Sequence, residues 1–269
     1  MDRLRPYALA APRRFAAALS SATNEITRRT PAPRDLPFFG LEHPEWTGAK
    51  LLERLSELGI FRIYERVLDL SYGLGGPARW LARRRGCAVF CFDTSHERAA
   101  ASRLLVRRSH LDPAVAVGLA VFGRLPVGDA SFTHAWSVEA LHREPDKPAV
   151  FAELFRAVRP GGHVALQEWV RTAGSPALAS AAYEAVECYL EGLCAVGFVE
   201  VRAVAGEALR EEPSTIAEIV GERVAEILVD LRGVEQRRLG EAHAELSERE
   251  QALAERRLAL VQIFARRPA

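Results

Sequence analysis

No stretch of this chain approaches the roughly 20 apolar residues that a membrane-crossing helix requires. The opening residues also lack the charged n-region, apolar h-region and cleavage site of a secretory signal. A cytoplasmic protein is the expectation. Cysteine is scarce: Cys87, Cys91, Cys188 and Cys194 fall in two distant pairs with no CxxC spacing and no histidine ladder. That excludes a recognisable zinc site and suits free thiols in a reducing compartment. An excess of one charge is missing as well. The 36 Lys and Arg against 35 Asp and Glu leave a formal charge of +1, which provides no global field toward nucleic acid or membrane. Internal repeats and low-complexity tracts are absent. Residues 1–30 are the local exception, with Arg3, Arg5, Arg13, Arg14, Arg28 and Arg29 against Asp2 and Glu25. This balance is shared by transit peptides, but an Arg- and Ala-rich leading helix is the plainer reading.

What is present is an ordinary globular composition, 49% hydrophobic and 26% charged over 269 residues, enough for one large domain with a substantial core. Residues 31–40 carry three prolines and read as an extended linker or a lid edge. Thr47 is placed to cap a helix with Leu51, Leu52, Leu55 and Leu58 on one face, stopped by Gly59. Strand and helix then alternate: strand 66–70, helix 76–85, strand 87–92, and a helix to about Arg108 opened by a Thr94/Glu97 capping box. Strands follow at 115–122 and 132–137, then a helix at 147–158, the turn RPGG at 159–162 and a strand at 163–170. This order predicts a parallel sheet with helices on both faces. Farther on we expect a helix over 175–195, a strand at 197–204, one long helical segment over 214–256 and a closing strand at 258–265. Leu239, Leu246 and Leu253 repeat by sevens in that segment; so short a repeat is expected to pack on its own domain rather than in a coiled coil.

The stretch DLSYGLGGPARW, residues 69–80, places three glycines between a strand and a helix. Such a turn offers backbone N–H groups and a positive helix end to a ligand. A phosphate loop needs GxxxxGK[ST], and neither Lys nor Ser/Thr follows in that register. GLGGPA (73–78) does fit the dinucleotide fingerprint, with Asp93 20 residues after Gly73. The downstream segments LPVGDASFT (125–133), SVEALH (137–142) and RPGG do not belong to a dehydrogenase.

Together with Asp69 before the turn, these segments resemble the class I S-adenosylmethionine-dependent methyltransferases. The resemblance is to the small-molecule branch that includes the sarcosine/dimethylglycine, tocopherol and phosphoethanolamine enzymes. It covers about residues 47–266 and is strongest over 66–170. It implies a doubly wound, seven-stranded Rossmann-like α/β sheet whose last strand is antiparallel. It further implies an N-terminal arm (1–46), a cofactor-binding core (47–205), a helical cap (206–256) and a final core strand (257–269). By the same resemblance, Asp69, Ser71, Gly73 and Gly75 receive the methionine portion of S-adenosylmethionine. Asp93, with Thr94 beside it, holds the ribose hydroxyls, a task that suits a carboxylate able to accept two hydrogen bonds. Ser137, Glu139 and His142 fall where the family meets the methionine end and the acceptor. The implied activity is methyl transfer to a small organic acceptor on O, N or C, with no metal, nucleic acid or membrane involved.

Several positions depart from the family pattern. Ser71 replaces the first glycine of the turn, Tyr72 replaces a small residue, Val121 stands where an Asp bonds adenine, and Thr133 replaces another Asp. Phe122 remains to enclose the adenine ring. Tyr72 and Val121 also motivate a second reading, a methyltransferase fold with a degenerate cofactor site that binds, regulates or runs another reaction in the same pocket. His142 reads as a general base or as a loop histidine, and Glu139 as an orienter of an amine acceptor or as a turn cap. Trp136, Trp169 and Phe122 are candidates to line an apolar acceptor pocket, although aromatic residues at strand ends are more often core.

Overall fold

Val67 and Leu68 are wholly shielded from solvent, as expected of a central strand covered on both faces. They belong to β1 (Arg66–Asp69) in a computed structural model that describes residues 4–32, 37–38, 40–41, 48–71, 73–178, 182–206 and 214–269. The other strands are β2 (Ala88–Asp93), β3 (Val115–Leu119), β4 (Phe132–Val138), β5 (Val158–Arg171), β6 (Val199–Ala205) and β7 (Leu258–Arg266). They form one seven-stranded sheet in the order β3-β2-β1-β4-β5-β7-β6. β7 runs antiparallel to both neighbours, while the pairings among β1 to β5 are parallel. The expected architecture, including its reversed last strand, is what the chain adopts.

Helices cover both faces. α3 (Ala49–Leu58) and α4 (Gly76–Arg85) share one apolar cluster with Val67, Val89, Trp136 and Phe264. On the other face Leu68, Phe132 and Leu166 pack with residues of α6 (Lys147–Ala157) and α7 (Val186–Ala195). α5 (His96–Arg108) lies against β2 and β3. Two N-terminal helices, α1 (Arg5–Ala10) and α2 (Pro12–Thr27), pack on late elements of the chain. α2 lies on α5 and α8 (Thr215–Ile227), and α1 lies on α9 (Val234–Ala254). Phe15, Leu19, Leu105, Val220 and Val224 close that layer as one buried cluster, and Leu246 of α9 is buried within this chain.

Five expectations need correction. The segment 214–256 is two helices, because the chain turns at Gly233, whose φ of 59° lies in the left-handed region that glycine tolerates. The helix expected from 175 begins only at Val186. The third strand ends at Leu119, and Val121 makes only an isolated bridge to Arg124. RPGG is a bulge inside β5 rather than a turn before it. Phe132 pairs with Val158 and His134 with His163, so the extra β5 residues loop out where Gly161 has φ 75°. Finally, α5 is capped by Ser95, whose Oγ accepts from Arg98 N at 3.3 Å, and not by Thr94. α3 begins after Gly48; Thr47 and Tyr72 lie outside the described residues.

Candidate active site

Asp69 ends β1 fully buried at the carboxyl edge of the sheet, where open α/β folds bind ligands. Its Oδ1 accepts from Ser71 N at 2.7 Å, while Oδ2 is buried with no hydrogen-bond partner among the described residues. Burial, the largest influence, raises its pKa to about 6 even though hydrogen bonding from Ser71 opposes the shift. The Trp136 indole also pulls it down, yet its N–H does not reach hydrogen-bonding geometry. An acid so placed is a ready partner for a cation.

The turn follows directly. Gly73 has φ 112°, and Gly75 has φ 70° as the N-cap of α4. A Cβ at Gly75 would collide with Ser102 Oγ of α5, so glycine there permits both the turn and the close packing. Ser71 Oγ accepts from Val138 N at 2.9 Å, and Ser137 Oγ donates to Leu70 O at 3.2 Å. Both serines thus tie β1 to β4 beneath the turn. The Ser71 departure keeps the turn in place through a bond that glycine cannot make.

Asp93, at the end of β2, is 2% exposed. It accepts from Ser95 N at 2.6 Å and from Arg98 Nε at 3.1 and 2.9 Å on its two oxygens. Thr94 is exposed and receives only a long contact from Arg98 Nη2, at 3.4 Å. A cavity of about 170 Å³ joins Gly73 and Arg98 to Leu9 of α1, Arg143, and Arg238, Glu241, Ala242 and Glu245 of α9. Arg143 pairs with Glu245, and Arg238 pairs with Glu97 at 3.0 Å. These contacts hold α9, with α1 packed on it, beside the glycine turn.

His142 lies in a short 3-10 helix (Leu141–Arg143) after β4 and is fully buried. Its Nδ1 is 3.1 Å from Glu168 Oε2, and its ring stacks on Tyr183 with centroids 4.9 Å apart. Glu168 also accepts from the backbone N–H groups of Ala140, Leu141 and His142, at 3.0, 2.8 and 3.3 Å. Burial raises its pKa to about 7 against those hydrogen bonds. The sequence reading missed Glu168. Its signal was an acid inside the apolar strand HVALQEWV, which has to find partners in the fold.

Glu139 points elsewhere. Its carboxylate accepts from Gln167 Nε2 at 3.0 Å and Trp169 Nε1 at 2.8 Å, within a fully buried network that continues to Gln262. Phe122 is fully buried in the core cluster with Phe92 and Leu125, and Val121 beside it is 65% exposed. Trp136 and Trp169 are core residues too, with no measurable exposure. The structure therefore gathers Asp69, Ser71, Gly73, Gly75, Asp93 and Ser137 along one edge, sets His142 on Glu168, and leaves Glu139 and Phe122 inside the fold.

A sheet of this order with a Gly-rich turn after β1 and a buried acid ending each of β1 and β2 defines the class I methyltransferase fold. Residues 68–166 match the family model described as "Methyltransferase domain". Methyltransferase GfsG of Streptomyces halstedii is 35% identical over 123 residues, 46% of this chain and 44% of that protein. The matched region spans less than half the length of such relatives. Phosphoethanolamine N-methyltransferase 2 of Haemonchus contortus, solved with S-adenosyl-L-methionine, superposes with a TM-score of 0.64 at 18% identity, covering 92% of this chain and 60% of that one. The [4+2]-cyclase SpnF superposes equally well, with a TM-score of 0.64 at 22% identity over 82% and 80% of the two chains. At such identities the likeness establishes the fold. No helix among the described residues is long and apolar enough to cross a membrane.

Proposed function

We propose that this protein transfers a methyl group from S-adenosylmethionine to a small organic acceptor. The observation that carries this reading is the buried, unpartnered Oδ2 of Asp69 above a glycine turn, with a second buried acid, Asp93, ending the next strand. These residues fit the cofactor chemically. Asp69 supplies an anionic acceptor for the methionine ammonium, the N–H groups of the turn and α4 suit its carboxylate, and Asp93 suits the vicinal ribose hydroxyls. The bound cofactor supplies an electrophilic methyl on a sulfonium.

The residues of this chain then hold and align. The in-line displacement gains chiefly from fixed geometry of nucleophile and methyl. For a hydroxyl acceptor, His142 is the candidate proton acceptor: its Nδ1 meets Glu168 Oε2 at 3.1 Å, a partner that would favour the charged ring. In this reading the helices α1, α2, α8 and α9 serve as a cap over the carboxyl edge. Leu9, Arg98 and Arg238 also line a neighbouring cavity of about 340 Å³, so the space beside the glycine turn reaches the scale of a small-ligand site. Incubation with methyl-labelled S-adenosylmethionine and a panel of small hydroxyl, amine and carbon acceptors tests the reading, with label transfer as the expected result.

A further inference from the structure

At the opposite end of the sheet from Asp69, the start of β4 and the bulge of β5 border a second cavity, of about 270 Å³. Arg62, Glu65, Thr133, His134, Arg159 and His163 line it. His134 is 96% buried by its 4% exposure, and its Nε2 has no hydrogen-bond partner among the described residues. Arg62 and Arg159 are exposed at the mouth and make no side-chain hydrogen bond or ion pair among the described residues. Two unengaged guanidinium groups therefore face one carboxylate, Glu65.

The proton on His134 is fixed by its neighbours. Thr133 Oγ1 accepts from Arg66 N and donates its single hydrogen to Arg66 O, each at 3.0 Å. Toward His134 Nδ1, 3.1 Å away, it can only accept. Nδ1 therefore carries the hydrogen, which also faces Glu65 Oε2 at 3.4 Å. In the neutral ring Nε2 is a bare, buried acceptor in a cavity that Arg62 and Arg159 also line. We propose that this cavity binds a phosphate group that still bears a proton: its P–O–H donates to His134 Nε2 while its remaining oxygens meet Arg62 and Arg159.

Burial keeps the ring in that form. Burial is the main cause lowering the His134 pKa to about 4; Glu65 opposes it, and His163 and Arg159 add to it. His163, stacked on His134 at 5.3 Å, is itself held down by burial and by Arg266 and Arg62, against Glu200 and Glu65. The Ile60 backbone also favours a charged ring, though less than burial opposes it. At neutral pH the ring thus needs a donor, which inorganic phosphate provides and sulfate does not.

Binding is measured by calorimetry and by the His134 ring nitrogen resonances, at about pH 7.5 with inorganic phosphate and with sulfate. Phosphate is expected to shift Nε2 and to bind about tenfold or more tightly than sulfate, the scale of one good hydrogen bond. Arg159→Gln and Arg62→Gln, both at exposed positions, each weaken phosphate binding about threefold or more. His134→Phe removes the preference over sulfate. At about pH 5.5, where a phosphomonoester also keeps a proton, tighter binding of glycerol 3-phosphate assigns the group to an organic phosphate, and the reverse assigns it to the free ion. Sulfate binding as well as phosphate, or no Nε2 shift with either phosphate compound, overturns the proposal. None of these readouts involves methyl transfer, so their failure leaves the proposed activity standing.

Discussion

The guanidinium of Arg98 spans both oxygens of Asp93, the acid assigned to the ribose, with Nε 3.1 Å from Oδ1 and 2.9 Å from Oδ2. On the proposed function, Arg98 and a ribose would compete for the same lone pairs. Replacing Arg98 with Met should tighten S-adenosylmethionine binding by about fivefold, roughly 1 kcal/mol. Asp93→Ala should weaken it by about 1 to 3 kcal/mol. Calorimetry on both folded variants checks the pair; weaker binding in Arg98→Met would show that Arg98 contacts the cofactor instead.

Asp69 makes the site sensitive to pH. Its pKa is raised to about 6 by burial, so in the free protein its ionisation between about pH 4 and pH 6 lowers stability, because the unfolded chain binds fewer protons in that window. An ammonium beside Oδ2 favours the ionised form. Cofactor affinity should accordingly rise with pH through about 6 and level off above it. Asp69→Asn should abolish that dependence and weaken binding at pH 7. A titration of wild-type affinity that stays flat from about pH 5 to pH 8 would remove Asp69 from the ammonium site.

For a hydroxyl acceptor, His142→Ala should lower turnover about 10²-fold or more with cofactor affinity unchanged. Glu168→Gln keeps a hydrogen-bonding group near Nδ1 but removes the charge. It should reduce kcat about tenfold and move the pH-rate profile, with little effect on KM. Equal losses of activity and cofactor affinity in both variants would make the pair purely structural.

Glu139 should behave as part of the fold. Its carboxylate bonds Gln167 and Trp169, and its φ is 52°, a left-handed conformation. Glu139→Ala leaves both donors unsatisfied and should cost about 2 to 4 kcal/mol of stability. Denaturant unfolding measures it; a fully stable variant with lost turnover would return Glu139 to a direct role.

The legible parts of the sequence were those set by local chemistry. Asp69, the turn at Gly73 and Gly75, and Asp93 could be read because strand, turn and helix follow one another within a few residues and each position has a backbone reason. Glu168 was hidden because its partners, the N–H groups after β4 and the His142 ring, lie 26 to 28 residues away and meet it only once β4 and β5 pair. The RPGG bulge was hidden for the same reason, since it exists only in the register of Phe132 and His134 against β5. The break at Gly233 was lost within a segment whose charge and leucine spacing look helical throughout. Tertiary packing, rather than local propensity, also decided that Phe122 and Trp136 fill the core.

Calorimetric titration of the folded protein with S-adenosylmethionine and S-adenosylhomocysteine, with NADH alongside, tests the central claim most directly. One site for each of the first two ligands, weakened in Asp93→Ala, and no site for NADH is the predicted result. Absence of binding by both sulfur ligands, or NADH binding in the micromolar range, would contradict it.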